Sequence, residues 1–237
     1  MPSIKAVLFD FGGTLYDYKT LEAAERESLV DLLGWSGIDG EPSDVHRTYR
    51  NALRRVFRKY LTRRFYMHSD FFRDALIGML EEFGAQLRPE YFERYRDLIW
   101  QRHARDLSLR EGVFETLTEL KKRKLYLGVV SNIDEDQLAH MVKITKIESC
   151  FDSLLSSEFA RSCKPDAGIF NEAIRRAGCK PEEALFVGDS IPQDVAGANR
   201  AGLFSVLLWH REDRKPPIED PSPRHVVERI PDVLSLV

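Results

Sequence analysis

The sequence predicts an α/β fold built on a doubly wound parallel sheet, with a helical segment inserted near its start. Continuous apolar runs at 6–9, 125–130, 184–187 and 203–209 suit strands buried on both faces, as parallel strands are. After Glu111 these runs alternate with segments of helical period, the rhythm of βα units. Polar residues follow three of the runs at once: Asp10, then Ser131-Asn132, then Gly188-Asp189-Ser190. Open α/β sheets bind ligands outside the carboxyl ends of their strands, near the point where strand order reverses. The polar residues therefore mark the candidate site.

Taken in order, the first run ends at Asp10 and is followed by Gly12-Gly13-Thr14-Leu15. A helical pattern then takes over. Leu21, Ala24, Leu29, Leu32 and Leu33 predict one helix, ended by Gly34, Gly37 and Gly40, and a second follows Ser43 with Val45, Tyr49, Ala52, Val56 and Tyr60 on one face. The other face of this second helix is a run of cations from Arg47 to Arg64 that no acid interrupts. Such a run is usually a solvated face, and an anionic substrate or partner is the competing reading. Two more helices are predicted from Phe72, Leu76, Met79 and Phe83, and from Tyr91, Tyr95, Leu98 and Ile99 after Pro89. Beyond Glu111 the pattern gives helices over 113–123, 135–147 and 167–177, the last closed by Gly178, with a short strand over 151–155. The Pro-rich stretch 215–223 reads as an exposed loop, and 226–237 as a short strand with a closing helix.

Composition excludes several function classes. Asp and Glu number 38 against 35 Lys and Arg in 237 residues, so overall charge gives no argument for nucleic acid or an anionic membrane. Cys150, Cys163 and Cys179 form no Cys-x-x-Cys pair and are odd in number, which fits free thiols in a reducing compartment. No stretch approaches the roughly 18 apolar residues of a membrane span, and no leader precedes the first strand, so the expected location is the cytoplasm. His68, His103, His140 and His210 show no ligand spacing.

Asp10, Ser131, Lys164 and Asp189 each fall at or just beyond a predicted strand end, and the fold could bring them together. Two acids, a lysine and a hydroxyl suit a divalent cation with a phosphate. Mg²⁺ takes oxygen ligands and shares its sphere with carboxylates, waters and substrate phosphate. A lysine supplies a point charge to phosphoryl oxygens.

Asp10-Phe11-Gly12-Gly13-Thr14-Leu15, Ser131-Asn132, Lys164-Pro165 and Gly188-Asp189-Ser190-Ile191-Pro192-Gln193-Asp194 resemble, in order, the motifs of the haloacid dehalogenase superfamily. The resemblance implies a Rossmann-like core from 1–16 and 107–237 with an α-helical cap over 17–106, a lid whose closure excludes water. It implies that Asp10 is a nucleophile forming an aspartyl-phosphate. Asp10, the Gly12 carbonyl and Asp189 are then implied to hold Mg²⁺, with Asp194 in support. Ser131, Asn132, Thr14 and Lys164 are implied to hold the phosphoryl group of a small phosphorylated substrate.

One departure matters. Where the family's phosphatases carry a second aspartate two residues beyond the nucleophile, this chain has Gly12, so the usual proton donor is missing. General acid–base catalysis is worth about 10²–10⁴-fold, roughly 3–5 kcal/mol of barrier. The expectation is a phosphohydrolase specialised for good leaving groups, or one that recruits an acid elsewhere, with Asp17 and the cap as sources. A weak phosphate-binding or regulatory module is the alternative class. Within enzymes, the family's dehalogenases need no Mg²⁺ and lack the acidic fourth motif. Its phosphonate-cleaving branch uses a cap lysine, for which this insert offers Lys19 and Lys59.

Overall fold

The computed structural model describes residues 3–210 and 221–237. Part of the Pro-rich stretch lies outside them.

Among the described residues six strands form one sheet: β1 (Ala6–Phe9), β2 (Tyr126–Ser131), β3 (Ser153–Ser156), β4 (Ala184–Gly188), β5 (Phe204–Leu208) and β6 (His225–Val227). Their order is β3-β2-β1-β4-β5-β6 and every pairing is parallel. From β1 the chain winds outward to β3, then returns to place β4 on the opposite side of β1. Strand order therefore reverses between β1 and β4. Phe9 is level with Val129 on β2 and with Val187 on β4, so the residues that follow these three strands share one rim.

The apolar runs are continuous because both faces of the sheet are covered. Ala6 and Leu8 of β1, Val130 of β2, and Ala184 and Phe186 of β4 pack with Ile169, Phe170 and Ala173 of a helix over Ala167–Ala177. The alternate residues Val7, Phe9, Val129, Leu185 and Val187 are just as buried. Full burial of a phenylalanine is worth roughly 1.5–3 kcal/mol. Phe9, Phe170 and Phe186 thus help provide the stability against which a charged rim is tolerated.

The remaining helices of this unit run over Val113–Lys122, Glu135–Thr145, Ser157–Ala160 and Ala196–Arg200. The second ends two residues before the sequence pattern suggests, because Lys146 turns left-handed at φ 58°. The closing segment is a 3-10 helix, Ile230–Leu236, whose Leu234 and Val237 carbonyls accept from Arg123.

The chain divides into two compact units, 1–17 with 108–237, and 18–107. The second holds α1 (Glu22–Trp35), α2 (Pro42–Tyr60), α3 (His68–Glu82) and α4 (Pro89–Asp106). Leu29, Leu32 and Leu33 of α1, Val45 and Tyr49 of α2, Ala75, Leu76 and Met79 of α3, and Tyr95 of α4 make its core. Arg102 of α4 ties onto α1, donating to Ser28 Oγ at 2.8 Å and Asp31 Oδ2 at 2.7 Å. On α2 the cations Arg50, Arg54, Arg58 and Lys59 are exposed, while Arg55 pairs with Glu82 of α3 at 3.3 Å. No described helix is long and apolar enough to cross a membrane. None of Cys150, Cys163 and Cys179 is in a disulfide.

Candidate active site

Asp10 stands one residue past β1 and is still tied into the sheet, its N–H donating to Val187 O at 2.8 Å. That bond fixes the carboxylate at the place where strand order reverses. Lys164 Nζ donates to Asp10 Oδ1 at 2.6 Å, Ser131 Oγ to the same oxygen at 3.3 Å, and Thr14 Oγ1 to Oδ2 at 3.1 Å. All four side chains are buried.

Lys164 lies on the loop before the Ala167–Ala177 helix, and Asn132 sets its backbone. The Asn132 amide donates to Lys164 O at 2.9 Å and accepts from Lys164 N at 2.7 Å. The motif implies a phosphate contact for Asn132; here its Oδ1 and one Nδ2 N–H serve this loop. Asp166 and Ser162 stiffen the loop further. Ser162 Oγ donates to Asp166 Oδ1 at 2.6 Å and accepts from Ile169 N at 3.0 Å, while Asp166 caps the helix by accepting from Gly168 N at 3.0 Å.

Asp189 and Asp194 come from the far side of β1. Asp194 sits in a wide turn over Ile191–Val195, where its Oδ2 accepts from Ser190 N at 2.9 Å and its Oδ1 from Lys164 Nζ at 2.7 Å. Glycines let these acids approach the backbone. A Cβ on Gly13, whose φ is +85°, would lie 2.3 Å from Asp189 Oδ2, and a Cβ on Gly188 would lie 2.4 Å from Asp194 Oδ2.

One oxygen from each of Asp10, Asp189 and Asp194 falls within 4.8 Å of the others. Lys164 alone does not balance them. Burial pushes the Asp189 carboxyl up, and Asp10 and Asp194 push it further. Asp194 is also raised, first by burial and then by Asp10, although Lys164 opposes this. Burial would lower the Lys164 ammonium, but Asp10 and Asp194 together hold it above the usual lysine range. Three hard oxygen donors with surplus negative charge are a donor set that fits a divalent cation.

A family model described as haloacid dehalogenase-like hydrolase matches residues 7–208. The chain belongs to the haloacid dehalogenase-like hydrolases. It is 30% identical to glyceraldehyde 3-phosphate phosphatase of Methanopyrus kandleri, over 99% of this chain and 97% of that protein. It is 27% identical to phosphoglycolate phosphatase 1 of Pseudomonas aeruginosa, over 97% of this chain and 78% of that protein. Among solved structures, the HAD-hydrolase YfnB from Bacillus subtilis bound to magnesium superposes with a TM-score of 0.81 at 20% identity, covering 99% of this chain and 98% of that one. That likeness is one of fold.

Sequence reasoning overlooked one member of this hydrolase's rim. Arg110 donates from Nε and Nη2 to Gly13 O, at 3.2 and 2.8 Å, and from Nη1 to Asp17 Oδ2 at 3.2 Å. A lone arginine that reaches a backbone carbonyl leaves no motif in the sequence. Tyr16 follows on the same segment, bridged to Leu109. It is buried, packs edge-on against Phe11 at 5.3 Å, and has its phenol pushed up by burial and by Asp10 and Asp189.

Proposed function

We propose that this hydrolase is a Mg²⁺-dependent phosphohydrolase that works through an aspartyl-phosphate on Asp10. The observation that supports it most is the buried carboxylate at the strand-order reversal, with Lys164 2.6 Å from it and two further acids alongside. Phosphatase relatives that match most of the chain support the reaction class. A dehalogenase reading gives the oxygens that Asp10, Asp189 and Asp194 bring within 4.8 Å of one another no cation to hold.

In this reading Asp10, the Gly12 carbonyl and Asp189 would hold Mg²⁺, with Asp194 beside them. The bound ion would offset the charge of the acids and of the incoming phosphate. Asp10 attacks phosphorus, the bond to the leaving oxygen breaks, and the phosphoryl group moves to the carboxylate. Water then attacks phosphorus and frees Asp10. Lys164 and Ser131, already aimed at Asp10 Oδ1, would exchange part of that engagement for phosphoryl oxygens as charge develops there. Thr14, bonded to Oδ2, keeps the carboxylate from rotating. Asn132 acts one step back, by holding the Lys164 backbone.

Gly12 decides the preferred substrate. It offers no proton to the leaving oxygen, and Asp17, the next acid along the chain, is paired with Arg110. Phosphates whose leaving groups depart without protonation, such as acyl or aryl phosphates, should therefore be turned over faster than sugar phosphates. The helical unit 18–107 is read as a cap that selects among small phosphorylated substrates. Gly12 also favours a second reading, a phosphate-binding module with little turnover.

Hydrolysis of acetyl phosphate and of a sugar phosphate, each with Mg²⁺, by the wild type and by Asp10→Asn tests these readings together. Acetyl phosphate turnover well above sugar phosphate turnover, and lost in the variant, is the expected result. Absence of Asp10-dependent turnover on either compound would overturn the preference for acyl phosphates and favour an unusual substrate or the binding module.

A further inference from the structure

The loop that carries the candidate nucleophile and metal carbonyl contains adjacent glycines, Gly12 and Gly13, which are the residues least able to hold a conformation of their own. Something else must hold it. One side of the loop is set by Asp189, against which the Gly13 backbone lies. On the other, the Arg110 guanidinium grips Gly13 O with two N–H groups and Asp17 with a third, while Arg110 N donates to Leu15 O at 2.9 Å. Tyr16 and Leu109 form a bridge between the same two segments. The Arg110 side chain is only 18% exposed, so these bonds are sheltered from water.

We propose that Arg110 is a positioning residue for the reaction, fixing the Gly12–Gly13 loop so that the Gly12 carbonyl and Asp10 face the cation together. The inference rests on the reading of Asp10 and Gly12 given above. Its route is short. Gly13 O belongs to the peptide that leads into Thr14, and Thr14 Oγ1 is the donor that orients Asp10 Oδ2. The Gly12 carbonyl lies one peptide upstream of the gripped one. An arginine suits this task because its planar fork serves two acceptors at fixed angles, which the point charge of a lysine does not. The guanidinium stays protonated and cannot act as the missing proton donor, so its contribution is geometric.

The test compares full-length wild type, Arg110→Ala and Arg110→Lys in two measurements: calorimetric titration with Mg²⁺ alone, and kcat and KM for acetyl phosphate. Groups that orient metal ligands are typically worth about 10–100-fold in metal affinity or activity. The alanine variant is expected to lose Mg²⁺ affinity and kcat by a factor in that range, with KM little changed. The lysine variant is expected to resemble it, and millimolar guanidinium chloride, far below denaturing levels, should restore part of both losses in Arg110→Ala. Wild-type Mg²⁺ affinity and kcat in Arg110→Ala would overturn the proposal, as would full function in Arg110→Lys. A lowered melting temperature with neither loss would reduce Arg110 to a structural residue. If Arg110→Ala fails to fold, the lysine variant carries the comparison. A wild type that binds Mg²⁺ but turns over nothing would sink the phosphohydrolase reading, while the titrations would still decide the role of Arg110.

Discussion

Lys164 Nζ lies 2.6 Å from Asp10 Oδ1 and, with a second N–H, 2.7 Å from Asp194 Oδ1, so a single buried ammonium bridges two carboxylates from opposite ends of the chain. The pair with Asp10 is almost fully shielded, with side-chain exposures of 1% and 9%. Removing one partner of a buried ion pair leaves an uncompensated charge, which typically costs about 3–5 kcal/mol. Lys164→Met is therefore expected to lower stability by about that amount in Mg²⁺-free urea melts, and added Mg²⁺ should return part of it. Loss of the charge near the phosphoryl group should also lower kcat by about 10²–10³-fold. A variant more stable than wild type without Mg²⁺ would show that the three acids do not burden the apo site.

Replacing Gly12 by aspartate tests whether the missing side chain limits the chemistry. Gly12→Asp is expected to raise turnover of sugar phosphates by up to about 10²-fold, because the leaving alkoxide gains a proton donor. Acetyl phosphate turnover should change little, since its leaving carboxylate needs no proton. Equal rates for the sugar phosphate in wild type and variant would mean that another group already donates.

The parallel sheet and the rim positions of Asp10, Ser131 and Asp189 were legible because each depends on residue type at a strand end, whereas Lys164, expected just beyond a strand, reaches Asp10 from the loop after the Ser157–Ala160 helix. Buried parallel strands need apolar runs, and a break into carboxylate or hydroxyl is visible in one dimension. What residue types leave open involves the backbone. Arg110 and Asn132 both serve main-chain groups, of Gly13 and of Lys164, and any residue offers those. Nothing in Ser131-Asn132 tells which way the amide turns. The left-handed Lys146 that shortens the helix before β3 is equally silent, since a lysine carries no turn signature.

Asn132 gives the third test. Its loss leaves the buried N–H and C=O of Lys164 without these partners, and an unsatisfied buried polar group costs about 1–3 kcal/mol. Asn132→Ala is expected to lower the melting temperature and kcat together while leaving KM for acetyl phosphate nearly constant, because the ammonium is misplaced and no substrate contact is removed. A rise in KM alone, with normal stability, would return Asn132 to the phosphate-contacting role that the motif implies.

Away from the site, Glu172 gives the sheet unit a defined acid sensitivity. It accepts from Arg175 Nε and Nη2, both at 2.8 Å, and from Arg176 Nε at 2.9 Å, and Arg176 Nη1 continues to Leu154 O on β3 at 3.0 Å. The Arg175 hydrogen bonds first, then those from Arg176, hold the Glu172 carboxyl down at about 2. A depressed native value means that the ionised form favours folding. The contribution is complete above the unfolded value of about 4.3 and is lost as pH falls toward 2. Because the side chain is 21% exposed, screening limits the effect to about 1 kcal/mol. Urea midpoints should therefore place Glu172→Gln below wild type at neutral pH, with the gap closing between about pH 4.5 and 2. A gap that persists unchanged through that window would mean that the glutamine keeps too few of the arginine bonds at any pH, and that the charge of Glu172 contributes nothing.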